Sequence, residues 1–135
     1  MLNIVIDTNV LFEGLTKRGS VAELLVNAWL VGRLSVYVST ALALEYVDVL
    51  SRKLSPQKWQ TLQPVLNQLL SQAHYTPIYY SWRPASPDPG DDHVIDCAMN
   101  VNAVVVTFNQ RDFQLAKNNL GLVVMSPLEL VTYLA

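Results

Sequence analysis

The chain has little of several features that define common protein classes. Its single cysteine, Cys97, excludes a disulfide framework within one chain and a cysteine-rich zinc site. No apolar run approaches the roughly 20 residues needed to cross a bilayer, so we expect no membrane span. The five glycines are scattered, and no glycine-rich phosphate loop is present. No basic region followed by an apolar stretch and a cleavage site is visible, so we expect no signal peptide and a cytoplasmic location.

Charged residues are also scarce, at 15% of the 135 residues, whereas hydrophobic residues make up 51%. This composition supplies enough apolar material for a full core, and the length predicts one domain that spans residues 1–135. The net charge of −2 gives no support for a large basic nucleic-acid surface. A bound divalent cation changes the sign of the local field, however, so a nucleic-acid partner stays open.

Short apolar segments alternate with segments of helical spacing along the chain. We predict strands at residues 2–7, 34–39, 75–82, 103–108 and 122–125. We predict helices at residues 20–30, 41–54, 56–72, 91–100, 113–117 and from 127 onward, with a rigid Pro/Gly loop at 84–90. Such alternation implies a parallel sheet covered by helices on both faces. Ligands of open parallel sheets bind outside the carboxyl ends of the strands, so chemistry is expected there.

Three acidic residues fall at that predicted edge. Asp7 ends the first strand, Glu45 lies on an apolar face of the second predicted helix, and Asp92 opens the helix after the Pro/Gly loop. Each has a simpler interpretation, because Asp7 suits a helix cap and Asp91 or Asp92 suits a helix N-terminus. Glu45 can lie at the edge of a buried face with its carboxylate in water. Their combination nevertheless predicts a cation site, since clustered acids repel one another unless a cation holds them.

Three further residues compete for a fourth position in the site. Asp96 lies one helical turn after Asp92, Asn109 follows the fourth strand, and Asp112 comes three residues later. Turn chemistry explains Asn109 equally well, and Asp112 suits the cap of a short helix. Hydrolysis of phosphodiester bonds is a reaction that uses such acidic sites, with a metal ion that activates water.

The ordered motifs resemble those of the PIN-domain family, and within it the VapC-like toxin nucleases of prokaryotic toxin–antitoxin systems. The matching segments are IVIDTNVL at 4–11, STALALEY at 39–46 with VLSR at 49–52, DPGDD at 88–92, VTFNQRDF at 106–113 and SPLEL at 126–130. Each segment alone is weak evidence, but five in the right order are fairly specific. The resemblance covers nearly the whole chain.

The resemblance implies a Rossmann-like three-layer α/β/α sandwich with a central parallel sheet of about five strands. It also implies cleavage of RNA at an Mg²⁺ or Mn²⁺ site, a cognate antitoxin protein as partner, and a homodimer. The family's three acids map onto Asp7, Glu45 and Asp92, which we expect to be both catalytic and metal-binding. The family's fourth acid falls on Asn109, so Asn109, Asp112 or Asp96 is expected to complete the site.

Neighbouring polar residues are assigned supporting roles in the same hypothesis. Thr8, Asn9 and Thr107 are expected to orient the carboxylates.

Arg111 and Arg18 are candidates for contact with RNA phosphates, together with Lys17, Arg83 and a stacking Trp82. The alternative for each of these five is a solvated charge or a packed tryptophan.

Two further interpretations accompany these predictions. Asp48 and Arg52 are expected to form a solvated i,i+4 pair on the outer face of their helix. Because Asn109 replaces a carboxylate, the alternative function is a catalytically weak or inactive PIN-like domain that binds RNA or protein.

Overall fold

The computed structural model describes residues 1–81 and 89–135, and in them a five-stranded parallel sheet forms the centre of the molecule. Its strands are β1 (Asn3–Ile6), β2 (Ser35–Val38), β3 (His74–Tyr75), β4 (Val104–Val106) and β5 (Val124–Met125). Their order across the sheet is β3-β2-β1-β4-β5, and every neighbouring pair is parallel. The central strand β1 pairs Ile4 with Val104 on one side and with Val36 on the other.

Helices cover both faces of the sheet and complete three layers, which confirms the predicted fold class. They are α1 (Thr8–Thr16), α2 (Val21–Leu30), α3 (Thr40–Lys53), α4 (Pro56–Ser71), α5 (Pro89–Val101), α6 (Gln114–Leu120) and α7 (Pro127–Leu134). Among the described residues, no helix is both long and apolar enough to cross a membrane.

Local sequence signals explain where most of these elements begin. Ser20, Ser39, Ser55 and Ser126 each accept a hydrogen bond from the backbone N–H three residues later. Such a cap is worth about 1 kcal/mol, because it satisfies a helix donor that lacks an internal partner. The strands β1 and β4 are apolar and almost wholly buried, as strands in the middle of a parallel sheet must be.

Some predicted boundaries were wrong. The third strand was predicted over 75–82, but it comprises only His74–Tyr75, and residues 76–81 are not strand. Pro77 has no N–H for a sheet ladder. The backbone at Tyr79 and Tyr80 bonds instead to the side chain of Asn100, with N–H to Oδ1 distances of 3.0 and 3.3 Å.

Two helix boundaries also differ from the prediction. Helix α5 begins at Pro89 rather than near residue 91, in keeping with the tolerance of a helix's first turn for proline, so the predicted loop ends earlier. Residues 84–88 of that loop lie outside the described residues. The short helix predicted at 113–117 corresponds to α6, which extends further to Leu120 and follows directly on a 3₁₀ turn, Gln110–Phe113.

Helix α1 was absent from the sequence prediction, and it matters because it begins at the candidate site. It packs closely on α2 through Gly14, where an added Cβ would lie 2.8 Å from the carbonyl oxygen of Ala22. Any larger residue at position 14 must therefore separate the two helices. This close crossing fixes α1, and with it the turn that follows β1.

Candidate functional site

A cavity of about 310 Å³ opens at the carboxyl edge of the sheet and extends between α1 and α3. Ten of the described residues line it. They are the acids Asp7, Glu45, Asp91 and Asp112, the cations Arg52 and Lys53, and Thr8, Asn9, Val49 and Asn109. This is the edge at which the sheet topology predicts ligand binding.

Asp7 occupies the junction between β1 and α1 and is only 5% exposed. Its backbone N–H continues the sheet by donating to the Val106 carbonyl at 2.9 Å. Its Oδ1 accepts from the backbone N–H of Thr8 at 2.8 Å, and its Oδ2 accepts from the Thr107 hydroxyl at 2.8 Å. Both carboxylate oxygens are thus oriented by donors on two adjacent strand ends, and the positive end of the α1 dipole favours their charge.

Thr107 is completely buried and uses its whole hydrogen-bonding capacity in this corner. While its hydroxyl donates to Asp7, it accepts from the backbone N–H of Asn109 at 3.0 Å and from the Asn9 amide at 3.4 Å. A hydroxyl has one donor and two acceptor positions, so this arrangement fixes the direction of its proton. Thr107 therefore joins the Asp7 carboxylate to the chain that leads from β4 toward Asp112.

Glu45 reaches the cavity from α3 and is held by the turn that follows β1. Its Oε2 accepts from the Thr8 hydroxyl at 3.0 Å, while the backbone N–H of Thr8 bonds to Asp7. Thr8 therefore sets the positions of both carboxylates relative to each other.

The next residue, Tyr46, is fully buried and donates its hydroxyl to the carbonyl of Ile6. Burial raises the pKa of Tyr46 well above its usual value, and electrostatic interactions with Cys97, Asp7 and Glu45 raise it further. The phenol stays protonated in consequence, and it fastens α3 to β1 directly beneath the acids.

Helix α5 carries three acids that differ in their placement. Asp91 is half-buried and lines the cavity. Asp92 and Asp96 are 8% and 5% exposed, and neither is among the residues that line the cavity. Cys97 is buried beside them, and burial together with the nearby charge of Asp96 raises the pKa of its thiol to about 12. The thiol is therefore neutral at physiological pH.

Asn109 and Asp112, two of the three candidates for the fourth position in the site, form one corner of the cavity. The Asn109 side-chain amide donates to Oδ2 of Asp112, and both residues line the cavity. Asn109 is exposed and Asp112 half-buried, so this corner is more open to solvent than the corner around Asp7. Of the three candidates for the fourth position, the structure brings Asn109 and Asp112 to the cavity.

The donor set of the cavity matches the chemistry of a hard divalent cation. Its acids and Asn109 offer carboxylate and amide oxygens, which Mg²⁺ and Mn²⁺ prefer, and none of the described residues that line it is a histidine or a cysteine. Within residues 1–81 and 89–135, no three His, Cys, Asp or Glu side chains meet in a preformed metal-binding group. Mg²⁺ commonly keeps several waters and uses only one or two carboxylates, so the residues fit such an ion.

The residues predicted to bind substrate are dispersed. Arg18 lines a second cavity of about 460 Å³, together with Lys17, Phe108 and Leu128. Arg111 is exposed and does not line the acidic cavity. Trp82 and Arg83 lie outside the described residues.

Two cations of the acidic cavity, Arg52 and Lys53, were missed as candidate site residues. Arg52 forms the predicted ion pair with Asp48, at 3.5 Å, and it also lines the cavity. Spacing from Glu45 would have revealed both residues, since positions i+7 and i+8 fall on the same helix face.

Solved structures with a similar fold include several toxin–antitoxin complexes. DNA-bound VapBC from Salmonella typhimurium matches with a TM-score of 0.66 and 16% identity, over 94% of this chain and 99% of that one. VapBC2 from Rickettsia felis, bound to a promoter DNA fragment, matches with a TM-score of 0.65 and 17% identity, over 93% and 98%. FitAcB from Neisseria gonorrhoeae matches with a TM-score of 0.63 and 19% identity, over 93% and 98%.

No curated protein matches the chain. A family model described as PIN domain matches residues 3–111, which include β1 through β4 and most of the cavity lining. This match agrees with the resemblance that the ordered motifs indicated. The chain therefore belongs to the PIN domain family.

Proposed function

We propose that this protein is an Mg²⁺- or Mn²⁺-dependent endoribonuclease that hydrolyses RNA phosphodiester bonds. The observation that carries the proposal is the Asp7 carboxylate, which Thr8 and Thr107 orient at the mouth of an acid-lined cavity in a PIN domain. Two buried donors on one carboxylate are more than a helix cap requires. These two hydrogen bonds hold the Asp7 carboxylate in one orientation, as a ligand of a metal ion requires.

In this proposal, Asp7, Glu45 and Asp92 would hold the metal, and Asn109, Asp112 or Asp96 would complete its surroundings. When bound, the ion lowers the pKa of water and offsets the charge that develops on the phosphate. Asp92 is assigned as a metal ligand because of its position in the family motif, whereas Asp91 is the acid of α5 that lines the cavity. The two are alternatives for the acid that α5 supplies.

The chain's own groups would position the reactants. Thr8 and Thr107 keep the Asp7 carboxylate aimed at the cavity, since each donates to a different oxygen. Glu45 is tied to the same turn through the Thr8 hydroxyl and would orient the attacking water and accept its proton. Tyr46 maintains this geometry by holding α3 on β1.

The direct test is cleavage of RNA by wild type and by Asp7→Asn in the presence of Mn²⁺. We expect Asp7→Asn to lose about 100-fold or more of its activity, since ligands matter at least as much as their hydrogen-bond partners. Glu23→Gln is the control, because it also replaces a carboxylate by an amide, and Glu23 lies on α2 and does not line the cavity. Cleavage by folded Asp7→Asn at the wild-type rate would contradict the proposal.

A second candidate function is a PIN domain that binds RNA or protein and cleaves weakly or not at all. Asn109 favours it, because this residue stands where the resembled family has a fourth acid. Metal-dependent stability separates the two functions. A site that binds Mn²⁺ raises the free energy of unfolding by about 2.7 kcal/mol at 100 times its Kd. A melting temperature unchanged by millimolar Mn²⁺ would favour the binding module.

We also propose that the protein is the toxin of a toxin–antitoxin pair, bound by a cognate antitoxin and assembled as a homodimer. The fold similarity to VapBC and FitAcB structures supports this assignment. Expression of the chain alone should arrest growth, and co-expression of the product of an adjacent small gene should relieve the arrest. Asp7→Asn should be harmless in the same assay. Equal growth with wild type and Asp7→Asn would contradict the toxin assignment.

A further inference from the structure

We propose that Arg52 and Lys53 form a phosphate-binding subsite, which holds the backbone of single-stranded RNA beside the acidic cavity. This inference rests on the proposed function, because it names the part of the protein that holds the substrate of that site. The carboxylates alone would repel RNA, so the groove needs positive charge at a position that does not displace the metal.

The α3 helix places the two cations on the face that carries Glu45. Val49, Arg52 and Lys53 follow Glu45 by four, seven and eight residues, which are the spacings of one helix face, and all line the cavity. At 1.5 Å per residue, the cations lie roughly 10 to 12 Å from Glu45 along the helix axis. That distance corresponds to a few phosphates of a nucleic-acid strand. The subsite would therefore contact phosphates that flank the cleaved bond.

Both side chains can exchange their present contacts for a phosphate. The Arg52 side chain is 62% exposed, and its ion pair with Asp48 is an exposed one, which contributes little to stability. Lys53 Nζ lies 5.6 Å from the ring centroid of Phe12, so the Lys53 ammonium makes a cation–π contact with α1 that a phosphate can replace. Both charged groups are exposed and line the cavity, so a phosphate can reach them.

The competing explanation is that these cations only balance the acids and the negative end of the α3 dipole. Lys and Arg in the last turn of a helix are favourable for that reason alone. A purely structural role predicts a change in stability without a change in RNA binding. Measurement of binding separates the two explanations.

The test uses a fluorescent uridine homopolymer and the Asp7→Asn chain, in which cleavage is expected to be lost. Arg52→Gln/Lys53→Gln is compared with Arg33→Gln/Lys58→Gln, which removes the same charge from exposed positions that do not line the cavity. A plot of the logarithm of the binding constant against the logarithm of the salt concentration has a negative slope. For single strands, each lost phosphate contact reduces the magnitude of this slope by about 0.7. We expect a decrease of about 1.4 for the first pair and none for the control.

Equal salt dependence in the two double variants, or no RNA binding by the Asp7→Asn chain, would overturn the subsite. If the first double variant does not fold, the single variants Arg52→Gln and Lys53→Gln replace it, each with an expected decrease of about 0.7. In cleavage-competent protein, the double variant should raise KM several-fold and change kcat less. If the wild type does not cleave RNA but the double variant shows the expected change in salt dependence, the nuclease proposal fails and the subsite stands. If the wild type cleaves RNA but the salt dependence does not change, the subsite fails and the nuclease proposal stands.

Discussion

The two sides of the acidic cavity are built in different ways. On the side of β1 and β4, Asp7 and Thr107 are buried and joined by a 2.8 Å hydrogen bond, and the backbone of Thr8 completes the arrangement. On the other side, Asn109 and Asp112 are more exposed and contact each other through side chains. Strand ends therefore define one side, and the 3₁₀ turn after β4 and the start of α5, which carries Asp91, supply the less rigid part of the lining. We infer that the first side sets the position of a cation and that the second adjusts to it.

The largest expected effect concerns the acid that α5 contributes to the less rigid side. We expect Asp92→Asn to reduce cleavage by about 100-fold, as loss of a ligand should, and Asp91→Asn to reduce it only several-fold. Asp91 nevertheless lines the cavity, whereas Asp92 is 8% exposed and does not. Steady-state cleavage by both variants, with their melting temperatures as a control for folding, checks the order. The reverse order would assign the role to Asp91.

A smaller loss of metal affinity or activity is expected on the rigid side when the Thr107 hydroxyl, which donates to Asp7, is removed. Thr107→Val keeps the shape of the side chain but leaves Asp7 Oδ2 and the Asn109 N–H without the Thr107 hydroxyl. We expect a 10- to 100-fold loss of metal affinity or activity. Thr107→Ser is the matched control, because it retains the hydroxyl and should keep most of the activity. Equal losses in both variants would point to packing rather than hydrogen bonding.

This contrast also explains what the sequence could predict. Asp7 was identifiable because a buried β-branched segment ends in a carboxylate, which is a local signal. The side formed by α5 and the 3₁₀ turn depends on how far helices extend past the sheet. Sequence patterns define such boundaries poorly, since helix ends depend on caps and tertiary contacts. The choice between Asp91 and Asp92, and the role of Asn109, therefore could not be derived from spacing.

The same reasoning applies to the fold. Alternation of apolar strands and capped helices predicted the parallel sheet, and each of the serine caps has a local signature. Helix α1 was missed as an element, although Asp7 was recognised as a suitable helix cap and does cap it. The aromatic segment 75–82 favoured a strand by composition, but the contact of its backbone with Asn100 lies twenty residues away in sequence. Only the folded structure reveals such a contact.

An intermediate effect is expected when the open corner gains a carboxylate. Asn109→Asp would place a second negative charge next to Asp112, so the metal-free protein should be less stable, and Mn²⁺ should bind more tightly. We expect a tightening of the Mn²⁺ Kd of several-fold by calorimetry. Asn109→Ala is the control, because it removes the amide without adding charge. No change in Mn²⁺ affinity would place the cation away from this corner.

The smallest expected effect concerns Glu129 of α7, which contacts the 3₁₀ turn on the side of the cavity formed by Asn109 and Asp112. Glu129 accepts from the Gln110 side chain at 2.7 Å, next to Asn109, and from the backbone N–H of Ser126 at 2.9 Å. The Ser126 backbone bond, then the Gln110 and Ser126 side chains, hold the pKa of Glu129 below its usual value of 4.5. Its stabilising contribution is therefore complete above pH 4.5 and disappears as the pH falls through the lowered pKa.

Glu129→Gln should remove this contribution and flatten the dependence of stability on pH below about 4.5. Because the carboxylate is exposed, the change in the free energy of unfolding at pH 7 should be small, and urea unfolding at several pH values measures it. Cleavage at pH 7 should fall by less than in Thr107→Val, since Glu129 acts on the cavity only through Gln110 and the 3₁₀ turn. A loss as large as that of Thr107→Val would mean that the open side is as rigidly defined as the side around Asp7.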